Sequence, residues 1–534
     1  MFSEMRGLKM KFELKKVYNR ILLVLVIIQF LIICIVNFTR SYHLLDYDSS
    51  LAIRHAVEMW DKGLFLDNYT YTTSLEIDSV PFFAAPIFRA TGNLNLSLGI
   101  VHLVFYGIFF YILYDIIRRL KLSSDAFLLG VLMIFTPYTY GQLEWSNMLF
   151  ISAGQYEFRV LLVFVLFDVL LVCRTKKFYQ SYIGISGMIL TFWVSLSSGN
   201  YILYMVLFPC ILQIGYGILK RQKINWKSNE NLMIIVYILV AIIGWRIRDS
   251  FVDNFQHSNF TLISARNFIS NFFNCILGVF LLLGGVSGIE KIDALSIQGI
   301  AALTRLFFTG GCIIFSIVYF ARKEKVENIE ILVEYMLAVF GVNIFVLLAI
   351  NTKYGSEFFE YRYHLMWIVL WIFFIAVLIG GELISYINKW TRCFLQYGVL
   401  LLLFLINISG FWNIFHYGNL EQIAKFLKYA NVYDAEIIYL GEWPAESHIL
   451  RVFDMERYYA SFSWKDEMMK IDTYDYYQYD KDNYNDDVAT LLICDMDMVN
   501  MMPRELMKEY DMVGSEPEYV VYYAPNNYIR EFCK

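Results

Sequence analysis

The stretch of the chain that decides its fold is residues 21–48, ILLVLVIIQFLIICIVNFTRSYHLLDYD. Residues 21–37 carry no charged side chain and form an apolar run that can cross roughly 30 Å of hydrocarbon as a helix. A polar segment with Asp46-Tyr47-Asp48 follows. Ionised groups beside hydrocarbon are unfavourable unless they are solvated, paired or used in chemistry. We therefore expect a membrane anchor followed by a functional loop at the membrane surface.

The composition of the whole chain predicts the same class. Of the 534 residues, 58% are hydrophobic and 17% are charged, and the mean hydropathy is +0.49. A single soluble domain is excluded because its surface would need far more polar residues. The sequence predicts a polytopic α-helical protein of the plasma membrane, with lipids as its immediate surroundings.

Apolar runs of spanning length recur along the chain. We predict eleven transmembrane helices, at 21–37, 98–117, 125–139, 160–173, 181–198, 200–219, 230–247, 300–320, 330–349, 365–384 and 395–413. Short connections rich in Lys and Arg lie between them, at 118–121, 174–177, 220–227, 322–325 and 389–392. The positive-inside rule places these connections and the basic N-terminus in the cytoplasm. The remaining loops, including the first loop 38–97, are then expected outside, together with everything after residue 413.

One apolar stretch does not fit this count. Residues 266–288 are long enough to cross, but a crossing would move Arg322 and Lys323 to the outside. We interpret the stretch as a re-entrant or interfacial segment, which is tolerated at membrane depth when protein shields it. An ordinary twelfth span is the alternative.

The last part of the chain has a different character. Residues 416–534 contain 11 Lys and Arg against 23 Asp and Glu, a formal charge of −12. Helical and strand-like patterns alternate there, with strands expected at 436–440, 490–494 and 519–523. The sequence therefore predicts a transmembrane domain, 1–415, followed by a small extracytoplasmic α/β domain, 416–534.

The first loop has a pattern of its own. From Asp48, apolar residues recur at three- and four-residue steps until Gly63, which predicts an amphipathic helix on the membrane surface. Asp46 and Asp48 lie at its N-terminal end, and Glu76 and Asp78 precede a second short interfacial segment. Anions are favourable at a helix N-terminus, so the two aspartates have a capping role as an alternative to a catalytic one.

The chemistry of this loop follows from its carboxylates. An acidic side chain can deprotonate or align a hydroxyl nucleophile, or hold a divalent cation such as Mg²⁺ or Mn²⁺ beside a phosphate. We predict Asp46 and Asp48 as catalytic residues, and as the ligands if a metal is used. A lipid phosphate is the natural substrate at this surface, and the guanidinium groups of Arg362 and Arg159 suit phosphate oxygens. The predicted substrate-binding residues are His55, Glu76, Asp78, Glu144, Arg159, Arg362 and His364.

This layout resembles the GT-C superfamily of membrane glycosyltransferases, which includes protein O-mannosyltransferases and aminoarabinose transferases. The loop from Asp46 through Thr91-Gly92-Asn93 carries most of the resemblance, and the rest of the chain is similar in layout. The resemblance implies transfer of a sugar from a polyprenyl-phosphate carrier to an extracytoplasmic acceptor. It also implies that Asp46 or Asp48 acts on the acceptor or on a metal. The Asp-Glu pair that opens the motif of the mannosyltransferases is missing here.

Two other functional classes are weighed against this one. A flippase or transporter of lipid-linked saccharides would carry ionisable residues near the middle of several spans, often with internal repeats. A non-enzymatic envelope anchor would bind a partner through its acidic domain. The charges of this chain gather in external loops instead, which favours an enzyme. A nucleotide-binding loop of the form G-x-x-x-x-G-K-[ST] is missing from the sequence, and no nucleic-acid partner is expected.

Overall fold

The structure is a computed structural model that describes most of the chain. The described residues are 2–66, 69, 71, 74–140, 143–212, 215, 228–252, 261–286, 291–322, 327–351, 361–381, 389–418, 420–465, 468–471 and 487–529. The predicted basic connection at 220–227 and most of that at 322–325 lie outside these residues.

Helices make up most of the fold. In chain order they are α1 Phe2–Thr39, α2 Tyr47–Lys62, α3 Val80–Thr91, α4 Leu94–Arg119, α5 Ser124–Ile134, α6 Glu144–Leu149, α7 Glu157–Cys173, α8 Tyr182–Ser198, α9 Asn229–Phe251, α10 Ala265–Leu282, α11 Ile297–Ala321, α12 Glu327–Ala349, α13 Leu365–Gly380, α14 Lys389–His416, α15 Leu420–Val432, α16 Pro444–Phe453, α17 Met496–Met501 and α18 Arg504–Met507. Shorter turns of 3-10 or π-helix lie at Ser41–Leu44, Phe178–Gln180, Leu203–Leu207 and Tyr361–His364.

The helices confirm a polytopic membrane protein but not the number of spans. Each of the eleven predicted spans overlaps a helical segment. Within the described residues, eight helices are long and apolar enough to cross a membrane, and shorter apolar helices lie at Ser124–Ile134, Tyr182–Ser198 and Leu203–Leu212. Helices are favoured here because hydrocarbon offers the backbone no hydrogen-bond partners. The predicted total of eleven is therefore not confirmed.

The centre of the bundle is α13. All sixteen of its residues are buried, as expected for a helix that is apolar on every side and enclosed by its neighbours. It packs along α5, where Ser123 Oγ donates to Gly380 O at 2.8 Å. The turn Tyr361–His364 lies directly before α13 and packs against α10, α12 and α13.

The stretch 266–288 contains one continuous helix, α10. By length and composition it could cross a membrane. Its contacts, however, involve segments at the loop end of the bundle. The Oγ1 of Thr139, which precedes the second loop, donates to Leu282 O at 3.0 Å, and Asn271 Nδ2 donates to Leu347 O at 3.1 Å, while the turn Tyr361–His364 also packs on α10. The interfacial interpretation of this stretch stays a prediction, with a twelfth span as its alternative. Residues 287 and 288 lie outside the described part of the chain.

The C-terminal region is built on a six-stranded sheet. Its strands are β3 Ile437–Gly441, β4 Tyr458–Lys465, β5 Met468–Ile471, β6 Thr490–Cys494, β7 Asp511–Ser515 and β8 Val520–Ala524, in the order β5-β4-β3-β6-β8-β7. Strand β3 is parallel to β4 and β6, and the other pairs are antiparallel. Helices cover both faces of the sheet. The three predicted strands are present, and β4, β5 and β7 were missed. A small two-stranded pairing, β1 Thr261–Leu262 with β2 Ile350–Asn351, joins the segment before α10 to the segment after α12.

The sheet region rests on the first loop. Helix α16 packs along α2, and the rings of His448 and Tyr47 meet edge to face with centroids 4.5 Å apart. Tyr42 and Phe453 form a second ring contact at 4.8 Å. The first loop and the sheet therefore lie on the same side of the helix bundle.

Candidate functional site

Asp46 is held by hydrogen bonds at the start of α2. Its Oδ1 accepts from Ser49 N at 2.8 Å while its own N–H donates to Ser49 Oγ, which forms a capping box. Its Oδ2 accepts from Asn147 Nδ2 at 3.2 Å. Burial and the charge of Asp48 raise the pKa of Asp46. The helix therefore begins one step earlier than predicted, with Asp46 as its cap.

Asp48 forms an ion pair across the molecule. Its Oδ2 lies 2.6 Å from Arg362 Nη1, on the turn before α13. The two side chains are 38% and 22% exposed, so both are accessible to a ligand. The Asp48 carbonyl also accepts from Gln155 Nε2 at 3.1 Å. The structure thus brings a predicted catalytic carboxylate and a predicted phosphate-binding guanidinium into contact.

Glu76 joins these residues from the other end of the loop. Its half-buried carboxyl makes no hydrogen bond or ion pair with any described residue. Burial, with the charges of Asp48 and Asp78, raises its pKa to about 8, against the opposing effect of Arg159 and Arg362. We call the three carboxylates Asp46, Asp48 and Glu76, together with their neighbouring cation Arg362, the acidic cluster.

Asp78 and Arg159, both predicted to bind substrate, bind each other. Arg159 Nε lies 2.8 Å from Asp78 Oδ2 and its Nη2 lies 3.3 Å from Oδ1. The hydroxyls of Ser197 and Ser198 also donate to this carboxylate, which is fully buried. The guanidinium lies over the rings of Tyr156 and Tyr201. The pair ties the first loop to α7 and α8.

The remaining predicted site residues, His55, His364 and Glu144, differ in their burial and contacts. His55 is buried and stacks on Tyr69 at 4.9 Å, and burial lowers its pKa to about 3, so the ring is neutral. His364 is also buried and accepts from Trp367 Nε1 at 2.9 Å. Glu144 begins α6 and lies within electrostatic range of Tyr417, as does Asp46. Their predicted roles in substrate binding stay predictions.

Three residues at the site were missed from the sequence. Asn147 orients Asp46, Gln155 holds the backbone of Asp48, and His448 packs on Tyr47 between the two aspartates. Neutral amides carry no charge signal, so a search for ionisable groups selected the neighbouring Glu144 instead. The position of His448 beside the first loop follows only from the packing of α16 on α2, which the sequence does not show.

The two aspartates are a poor donor set for a metal ion. Both oxygens of Asp46 accept hydrogen bonds, and Asp48 is paired with Arg362. Among the residues that the structure describes, no three His, Cys, Asp or Glu side chains are grouped so that they could hold a metal. The predicted divalent cation is therefore not supported by these side chains.

The polytopic helix bundle, with a sheet region packed on its first loop, has the fold of the solved structures of ArnT. The crystal structure of ArnT from Cupriavidus metallidurans in the apo state matches 95% of this chain and 98% of its own, with a TM-score of 0.52 and 10% identity. The crystal structure of the same protein bound to undecaprenyl phosphate matches 94% of this chain and 97% of its own, with a TM-score of 0.53 and 10% identity.

A further solved structure has a weaker likeness. The oligosaccharyltransferase AglB from Archaeoglobus fulgidus, in complex with an inhibitory peptide and a dolichol-phosphate, matches 84% of this chain and 64% of its own. Its TM-score is 0.45 and the identity is 12%. No protein-family model and no curated protein matches the sequence. The likeness to ArnT therefore establishes that this chain shares the ArnT fold, as the resemblance implied.

Proposed function

We propose that the protein is a membrane glycosyltransferase that moves a sugar from a polyprenyl-phosphate carrier to an extracytoplasmic acceptor. The accessible Asp48–Arg362 pair carries the proposal, because a guanidinium, which suits phosphate oxygens, lies there beside carboxylates at one end of the helix bundle. The ArnT structure with the same fold binds undecaprenyl phosphate, which supports a polyprenyl phosphate as the donor. The N-terminus is proposed to be cytoplasmic and the sheet region extracytoplasmic.

In the proposed reaction, the donor phosphate binds the Arg362 guanidinium, which Asp48 holds in position. The acceptor hydroxyl oxygen forms a new bond to sugar C1 as the bond between C1 and the phosphate oxygen breaks. The electron pair of the broken bond leaves with the polyprenyl phosphate, and the hydroxyl proton passes to a carboxylate of the acidic cluster. The guanidinium stabilises this added negative charge. Asp48 keeps its ion pair with Arg362 and aligns the incoming acceptor, and Asp46 holds the start of α2 so that Asp48 stays in place.

The test uses the full chain in nanodiscs. Polyprenyl phosphates carrying a hexose, an aminohexose or a pentose are mixed with a cell-envelope extract as the source of acceptors, and released polyprenyl phosphate is measured by mass spectrometry. We expect turnover with one donor, and a loss of at least about 100-fold in Arg362→Met and Asp48→Asn. Arg89→Met is the control, because Arg89 pairs with Asp61 at the exposed surface of the first loop.

Each outcome separates the alternatives. Undiminished turnover in both site variants would remove the acidic cluster from the reaction. No turnover by the wild-type protein with any donor would reject the transferase. Movement of a fluorescent donor between leaflets without sugar transfer would instead establish the flippase.

A further inference from the structure

The backbone around Glu76 is anchored at every neighbouring residue. From α7, Arg159 donates to Ser74 Oγ and pairs with Asp78. From α8, Ser197 O accepts from Leu75 N and Trp193 Nε1 donates to Ile77 O. Within the segment, Ser79 N donates to Glu76 O. These bonds come from α7, α8 and the segment itself. Glu76 is the one polar side chain of 74–79 without such a bond among the described residues. The anchoring therefore holds a carboxyl in place and leaves it available.

The conformation of Glu76 is also unusual. Its φ is +55°, in the left-handed region that non-glycine residues rarely adopt. Such residues persist only where their surroundings impose them, and they are concentrated at functional sites. Glycine would relieve this strain, yet the chain carries glutamate here. The position therefore retains a side chain at the expense of backbone stability.

We propose that Glu76 is the proton acceptor of the transfer reaction, an inference that rests on the proposed function. The acceptor hydroxyl gives its proton to the Glu76 carboxylate, which becomes a neutral carboxylic acid. The hydroxyl oxygen forms the new bond to sugar C1 as the old C1–O bond breaks, and the polyprenyl phosphate departs with the electron pair. The proton then leaves Glu76 to solvent, which restores the carboxylate.

The other carboxylates of the site form hydrogen bonds or ion pairs with described residues, whereas the carboxyl of Glu76 forms none with them. Both oxygens of Asp46 accept hydrogen bonds, Asp48 neutralises Arg362, and Asp78 accepts from one guanidinium and two hydroxyls. A carboxylate that is already hydrogen-bonded or ion-paired is a weaker base than one without a partner. Glu76 is thus the group best able to take up a proton.

The charges that face Glu76 tune its basicity. Asp48 on α2 and Asp78 in the same segment raise its pKa, and Arg159 on α7 and Arg362 on the turn before α13 lower it. Tyr69, in the same loop, also lies within electrostatic range. With burial included, the pKa is about 8, near the operating pH that suits a general base.

The experiment measures kcat/KM against pH in the nanodisc assay with the polyprenyl-phosphate sugar that the wild-type protein turns over. We expect the wild-type value to rise about tenfold per pH unit below pH 8 and to level off above it, since only the carboxylate accepts the proton. Glu76→Gln should lower kcat/KM at least about 100-fold at pH 8 and lose the inflection. Glu76→Asp should retain the inflection at a lower rate. Asp61→Asn is the matched control, because Asp61 is a first-loop acid paired at the surface.

Several results would overturn the inference. A wild-type profile without an inflection between pH 7 and 9 would do so even if Glu76→Gln failed to fold. So would Glu76→Gln at more than a tenth of the wild-type rate, which would return the role to Asp46 or Asp48. A thermal midpoint of Glu76→Gln far below wild type, with activity lost in proportion to folded protein, would assign Glu76 a structural role. Absence of turnover in the wild type, in contrast, would reject the proposed function itself.

Discussion

Replacing Asp78 with Asn should destabilise the protein, because Asp78 is the counter-ion of a buried cation. Its side chain is 0% exposed and that of Arg159 is 11% exposed. Removing one partner of a buried ion pair typically costs about 3–5 kcal/mol, since the other charge stays buried without compensation. Asparagine keeps the shape and one acceptor oxygen, so we expect the lower end of that range, about 3 kcal/mol.

The assay is unfolding of the full chain in mild detergent, followed by circular dichroism during titration with a denaturing detergent. The exposed pair Arg89–Asp61 provides the matched control, and Asp61→Asn should change stability by no more than about 1 kcal/mol. The double variant Asp78→Leu with Arg159→Met should recover most of the lost stability, because replacing a whole buried pair by apolar groups is often close to neutral.

Two results would refute this reasoning. A loss in Asp78→Asn no larger than that in Asp61→Asn would show that the pair is not an essential clamp. Intact stability together with abolished sugar transfer would show that Asp78 binds substrate, as the sequence predicted, and that its contacts with Ser197 and Ser198 are secondary.

Four further predictions address the site and the topology. The folded-state pKa of Glu76, about 8, lies above its ordinary value of 4.5. The stability that Glu76 contributes to the folded state is therefore complete below about pH 4.5 and is lost as the pH rises through 8. Glu76→Gln should accordingly match the thermal midpoint of the wild type at pH 4.5 and have the higher thermal midpoint at about pH 9. Sugar transfer should be unchanged after treatment with EDTA, because Asp46 and Asp48 are engaged by hydrogen bonds and Arg362; inhibition that Mg²⁺ or Mn²⁺ reverses would contradict this. His448→Ala removes the ring contact with Tyr47, and hydrogen exchange in 47–62 should become faster, whereas unchanged protection would show that α16 does not brace the loop. Reporter fusions after residues 325 and 420 should report cytoplasm and exterior, respectively, and a cytoplasmic signal from the second would reject the proposed topology.

Periodicity and charge in the sequence were sufficient for much of the first loop. The apolar steps after Asp48 predicted a surface helix, and α2 spans Tyr47–Lys62. The short apolar piece after Asp78 forms helix α3. The N-terminal end of α2 differs by one residue, because the capping box between Asp46 and Ser49 depends on side-chain geometry that hydropathy does not encode.

The sheet region shows where such patterns stop being informative. Strands β3, β6 and β8 contain continuous apolar runs and were predicted. Strand β4 alternates apolar and polar residues from Ala460 to Lys465, but it lacks the continuous apolar run that marked the other three. The mostly exposed strand β7 has little apolar character, and its place is defined by its pairing with β8. Strands of this kind are specified by their neighbours in the sheet more than by their own residues.

The sequence by itself determined that this is a polytopic membrane protein and which loop carries the acidic residues, and it named two arginines as candidates for binding a phosphate. These features follow from local composition and spacing. Only the tertiary structure decided which acid meets which base: Arg362 pairs with Asp48 across 314 residues, Arg159 is bound by Asp78, and Glu76 is left without a hydrogen bond or ion pair to any residue that the structure describes. The physical reason is that a pairing depends on distance and burial after helices distant in sequence have packed together, and neither quantity is encoded in any one segment.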